Sequence, residues 1–219
     1  LIDRYGLDAT KYFLIRQMPT GADGLFTPES FVEIYNSDLC NDLGNLLNRT
    51  IAMCNKYFDG NIPDYAGLDN DQDIELEEFQ KSIIERVENK INEYEFASSL
   101  QTIWELVSKA NKYIDETKPW ELAKIGENDD KELKEAQLKS VIYHLCATLK
   151  QIAILIRPLM KDTSDEILRQ LGLSNDVKWS DLDNYYDIHN AKVIEKSEPI
   201  FVRLNVQEEI NYIQGLMKK

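Results

Sequence analysis

The chain has 219 residues, 43% hydrophobic and 29% charged, with a formal net charge of −14, a balance that provides for a globular core and excludes a disordered or fibrous chain. That acidity opposes non-specific binding to nucleic acid, because phosphates attract Lys and Arg and are repelled by a negative field, although a local basic strip stays open. The three cysteines, Cys40, Cys54 and Cys146, are far apart and form no Cys-x-x-Cys pair, so they read as reduced thiols rather than disulfides or zinc ligands.

LIDRYGLDATKYFLIR opens on Leu1 in a pattern that is already helical, and it reads as part of a longer protein. No apolar run approaches the ~20 residues that span a bilayer, and no charged-then-apolar leader is seen. The expectation is a soluble cytoplasmic protein without a membrane partner. Residues 1 to 26 predict two short helices broken at Gly6 and then a glycine- and aspartate-rich turn, PTGADG, together a small satellite unit.

TPES at 27 to 30 is a helix start, with Thr27 as N-cap, Pro28 at the first helical position and Glu29 near the positive end of the dipole. This helix should run to about Phe58, where Asp59, Gly60 and Pro63 stop it, and a polar loop follows to residue 73. Further helices are expected over about 74 to 93 and 96 to 116. Thr117-Lys118-Pro119 then repeats the cap-and-proline start for a short helix that begins at Trp120.

GENDDKE is a charged surface turn. LKSVIYHLCATLKQIAILI, ending at Arg157-Pro158, is the most apolar helix and the expected centre of the core. TSDEILRQLG adds a helix with Gly172 as a left-handed cap. Residues 173 to 206 lack periodicity and read as an extended tail before a terminal helix from Gln207. The fold class is all-α, an antiparallel helix bundle.

No active-site pattern emerges. His144 and His189 have no partner at metal-ligand spacing, and the sequence has no phosphate-binding glycine loop, nucleophile elbow or paired-carboxylate motif. No catalytic residue, cofactor or metal is expected in this chain. The predicted helix over 28 to 58 is more pointed. At ~100° per residue, Leu39, Leu43, Leu46, Leu47, Thr50, Cys54 and Tyr57 form a core face, and Asn45, Arg49 and Lys56 gather opposite. Asn45 and Arg49 are either ordinary solvated side chains or a pair that reads base edges, one through an amide and the other through a planar cationic fork. Trp120 is either a core anchor or an exposed ring among Lys109, Lys112, Lys118 and Lys124, suited to stacking an unpaired base while the lysines neutralise phosphates.

The chain resembles, along nearly its whole length, the C-terminal half of bacterial methionyl-tRNA synthetases, class I aminoacyl-tRNA synthetases. LIDRYGLDATKYFLIR with GADGLFTPE is similar to the segment after that family's KMSKS loop. NDLGNLLNRT and NKYIDETKPWELAK resemble its two anticodon-reading segments, and EKSEPIFVRL its returning tail. The resemblance implies a stem-contact end at 1–26, a helical anticodon-binding domain at 27–172, and at 173–219 a tail and terminal helix folding back toward a catalytic domain. It implies that Asn45 and Arg49 read anticodon base edges and that Trp120 stacks on a base; from their own charge and placement, Lys56, Lys112, Lys118 and Lys124 are the expected supporting contacts.

The implied partners are the anticodon stem-loop of tRNA(Met), with CAU as anticodon, and the chain's own catalytic domain; DNA is not one. The HIGH and KMSKS signatures are absent, so ATP, with zinc as a further candidate, belongs to a catalytic part outside this chain, which should be inactive alone. Two alternatives stay open: the anticodon domain of a sister enzyme for isoleucine, valine, leucine or cysteine, and a helical protein-interaction module.

Overall fold

Side chains that satisfy the orphan amides of a first turn set four of the helix starts. Thr27 Oγ1 accepts the Ser30 amide at 3.1 Å, and Ser30 Oγ returns to the Thr27 backbone, which with Pro28 in the first turn starts α3 (Pro28–Ile34). Asn70 Oδ1 accepts from the Asp73 amide at 2.8 Å, Asp130 from Leu133 at 3.0 Å and Asn205 from Glu208 at 3.3 Å. These three caps begin α5 (Asp71–Asn92), α8 (Lys131–Ile156) and α10 (Val206–Met217). The computed structural model describes residues 1–18, 21, 23–65, 70–126 and 130–218. The turns predicted at PTGADG and GENDDKE, and residues 66–69 of the polar loop, lie wholly or partly outside them.

Gly6, at φ 86°, separates α1 (Ile2–Tyr5) from α2 (Leu7–Gln17). The helix expected over 28 to 58 is continuous but not uniform. Between α3 and α4 (Asn45–Phe58) the backbone winds as a π-helix over Tyr35–Gly44. The chain turns back through α5 into α6 (Phe96–Thr117), and α7 (Pro119–Leu122) starts one residue earlier than predicted, at the proline. α8 begins seven residues before the predicted apolar run, because Asp130 supplies its cap. After α9 (Lys161–Gln170) the tail contains a 3₁₀ helix, Trp179–Asn184, that sequence periodicity did not reveal.

α4, α5, α6 and α8 run alternately up and down. Arg86 meets Glu105 and Lys109 meets Glu75, so α5 and α6 are antiparallel. Asp73 meets Ser140 and Gln80 meets Thr148, so α5 and α8 run the same way. Between these helices lies a buried polar group: Asp73 accepts from Tyr113 Oη and Ser140 Oγ. His144 is buried too, with its nitrogens on the Ser140 carbonyl at 2.7 Å and Glu77 at 3.0 Å.

By length and composition α8 could cross a membrane, contrary to the reading of its apolar run, but 89% of its most apolar stretch is buried inside the protein. It is the central helix of the core, from Leu138 to Ile156. α1 and α2 join that core instead of forming a satellite. Phe13 packs on Phe31 at 5.2 Å, Tyr5 on Phe31 at 4.8 Å and Tyr35 on Phe201 at 5.7 Å. One aromatic cluster thus unites the N-terminal segment, the start of the long helix and the tail.

Asparagines on the long helix fix the tail. Asn36 exchanges two hydrogen bonds with the Leu204 backbone at 2.8 and 3.0 Å. Arg203 Nη1 donates to Asn41 at 2.8 Å, Ser197 Oγ donates to Asn48, and Asn55 Nδ2 donates to the Ile194 carbonyl at 2.8 Å. The tail therefore runs antiparallel along the π segment and α4. At its other end Gly172 has φ 70°, and a Cβ there would run into the Lys192 carbonyl, so only glycine admits this approach.

Candidate nucleic-acid interface

The π segment and α4 run beside α6 in the same direction. Trp104 reaches the Asp38 carbonyl, Asn111 the Asp42 carbonyl and Arg49 the Asp115 carboxylate. A seam forms whose upper end carries the predicted recognition residues. Of the predicted core face of α4, Leu46, Leu47, Thr50 and Cys54 are fully buried and Tyr57 is half-buried, and Ile51, not assigned to that face, is fully buried as well. Asn45, the first residue of α4, is exposed, and Arg49 is only partly so, with 30% of its side chain accessible. Arg49 Nη2 donates to Asp115 Oδ1 at 2.9 Å, which uses one of the fork's five donors.

At the top of α6, Lys118 takes the left-handed conformation at φ 46° and ψ 61°. Its carbonyl accepts from the amides of Glu121 at 2.7 Å and Leu122 at 3.3 Å. This reversal lets Pro119 bury itself and turns Trp120 outward, 38% exposed. The core-anchor reading of Trp120 calls for a buried ring, and the ring stands at the surface.

The lysines are less free than their spacing suggests. Lys109 pairs with Glu75, Lys112 with Glu116 at 3.2 Å and Lys124 with Glu121 at 2.9 Å. Glu75 is held below the ordinary carboxylate range chiefly by its bond from Lys109. The strip from 109 to 124 is therefore nearly neutral rather than basic, because carboxylates of the same helices and of α5 reach its ammonium groups. Lys118 is exposed at its turn, and exposed Lys56 lies 5.2 Å from the centre of the Tyr57 ring. Below the seam's upper end, a cavity of about 580 Å³ opens between Arg16, Asp38, Asp42, Trp104 and Lys112. Burial, reinforced by Asp38, raises the Asp42 carboxyl above its ordinary value.

Sequence reading did not find Asp115, Asn111, Trp104 or the asparagines that hold the tail. One signal was available: Asn41, Asn48 and Asn55 recur every seven residues, two helical turns, and so share a face.

A family model described as the anticodon-binding domain of tRNA ligase matches residues 73–219, and one described as class I (M) tRNA synthetases matches residues 1–51. The methionine–tRNA ligase of Listeria innocua is 48% identical over 221 aligned residues, and that of Bacillus subtilis 45% over 220. Each alignment takes in 100% of this chain and 32% of the relative, so the chain spans about a third of their length. The ligand-free Mycobacterium tuberculosis methionyl-tRNA synthetase superposes with a TM-score of 0.81 at 28% identity, over 93% of this chain and 40% of that one. These matches favour neither a sister enzyme nor a protein-interaction module. With family matches reaching from α1 to α10, and a fold that is helical among the described residues and superposes on part of that structure, the chain belongs to the anticodon-binding domain family of the tRNA ligases, in its methionyl-tRNA synthetase form.

Proposed function

We propose that this chain holds the anticodon loop of a methionine tRNA for a longer methionine–tRNA ligase, whose catalytic part joins methionine to that tRNA with ATP in the cytoplasm. The observation that supports the reading is the meeting of α4 with the last turn of α6, where Arg49 reaches Asp115. Asn45 is exposed on α4, Arg49 is tied to Asp115 near the end of α6, and Trp120 stands outward immediately after that helix. Trp120 offers a stacking face, while Asn45 and the remaining donors of Arg49 offer directional bonds to base edges. A wrong base leaves those groups unpaired, and the cost of unpaired polar groups is the source of discrimination. Lys118 and Lys56 supply charge for phosphates, with Lys112 and Lys124 able to exchange a carboxylate for one. Any zinc belongs with the catalytic part.

The test is a titration of the chain with a CAU anticodon stem-loop and with one of altered anticodon, at several salt concentrations. The CAU loop is expected to bind tighter, with affinity falling as salt rises. Equal binding of both loops, or none, overturns the reading.

A further inference from the structure

Trp104 and the π segment lie outside the recognition surface, yet the polar contacts around Asp38 converge on them. Trp104 Nε1 donates to the Asp38 carbonyl at 3.1 Å. Tyr12 Oη donates to Asp38 Oδ2 at 2.8 Å, and Ser37 Oγ to Oδ1 at 2.6 Å. The Tyr12 ring packs on the indole with centroids 4.4 Å apart, and both side chains are buried.

π-Helical winding bonds each amide five residues back, is rare, and reverts to α unless its surroundings favour it. Here it continues to Gly44, and the Asn45 amide forks between the Asp42 and Cys40 carbonyls where α winding resumes. Gaining or losing one residue of register turns everything beyond it by about 100° around the axis. Asn45 is the first residue beyond that junction, and Arg49 stands one turn further along α4. A donor fixed on the Asp38 carbonyl therefore bears on where both of them point.

We propose that Trp104 is a positioning residue for anticodon reading: its indole N–H, backed by Tyr12, holds Asp38 and with it the π register from which Asn45 and Arg49 project. The inference rests on the anticodon reading above, and its test separates the two.

Stem-loop affinities are measured for the full chain and for Asn45→Ala, Trp104→Phe and the double variant, with melting curves for each. Trp104→Phe keeps an aromatic ring but loses the donor and one ring of the indole, and its melting curve reports the cost of that lost packing. It is expected to stay folded and to bind the CAU loop about fivefold to tenfold more weakly, the worth of one hydrogen bond, with a smaller preference over the altered loop. Asn45→Ala should cost clearly less in the Trp104→Phe background than in the unchanged chain, a coupling that a purely structural role does not produce. Losses that simply add, or parental affinity and preference in Trp104→Phe, overturn the proposal. If Trp104→Phe is unfolded at the assay temperature, Tyr12→Phe takes its place with the same two outcomes. Parental binding by Asn45→Ala alone overturns the anticodon reading, and the positioning role with it.

Discussion

Arg49 on α4 and Asp115 on α6 share a single hydrogen bond of 2.9 Å, so the partly exposed guanidinium of α4 is steadied by the helix that leads into Trp120. With the Asp115 side chain 66% exposed, the pair contributes roughly 0.2–1 kcal/mol to stability. Its weight lies in aim. Arg49→Lys keeps the charge and loses the planar fork, so it is expected to reduce the preference for CAU over an altered anticodon more than it reduces affinity for either. Titrations with both loops check this. Equal weakening of the two identifies Arg49 as a phosphate contact.

Features decided within a few residues were legible in the sequence. Thr27 and Pro28 carry a local helix-start signal, Gly172 ends a helix, and the apolar spacing of Leu46, Leu47, Thr50 and Cys54 marks the core face of α4. Features decided across helices were not. Nothing near Tyr35–Gly44 announces π winding, whose carbonyls are met by Trp104 and Asn111 from another helix. In the same way Lys109 looks free until α5 brings Glu75 against it. Trp120 lies between these cases: Pro119 marks the helix start, but only the left-handed turn at Lys118 decides that the ring faces outward.

Trp120 is 38% exposed, and its substitution should separate binding from folding. Trp120→Ala is expected to remove roughly 1–3 kcal/mol of stem-loop binding with little change in melting temperature. Trp120→Phe should recover much of the binding, because a π-face remains. A large fall in melting temperature, with normal binding by the folded fraction, assigns the ring to the core.

Lys118 holds a backbone conformation that costs a side-chain-bearing residue about 1–2 kcal/mol relative to ordinary helical geometry. Glycine adopts it without that cost but is more flexible when unfolded. Lys118→Gly should therefore leave stability equal or slightly raised while removing one cation beside Trp120. If that ammonium meets a phosphate, the salt dependence of stem-loop binding falls by about one ion, and both anticodons weaken alike. An unchanged salt slope removes Lys118 from the interface.

Glu209 ties the terminal helix to the first one. Both its oxygens accept from Arg4 at 2.7 Å, Tyr5 Oη adds a third bond, and the guanidinium lies 4.1 Å from the centre of the Tyr212 ring. The bond from Arg4 holds the Glu209 carboxyl below its ordinary value of 4.5, against the opposing effect of burial. A carboxyl depressed in the folded state contributes stability that is fully present above its unfolded value and is lost as pH falls through its folded value. Glu209→Gln is therefore expected to melt below the parent at neutral pH, and the gap should narrow as acid below the carboxyl's ordinary value of 4.5 protonates the parent. Melting curves at a series of pH values measure that gap. A gap that stays constant into strong acid means the carboxylate charge is not what holds α10 against α1, and the contact then owes its strength to packing alone.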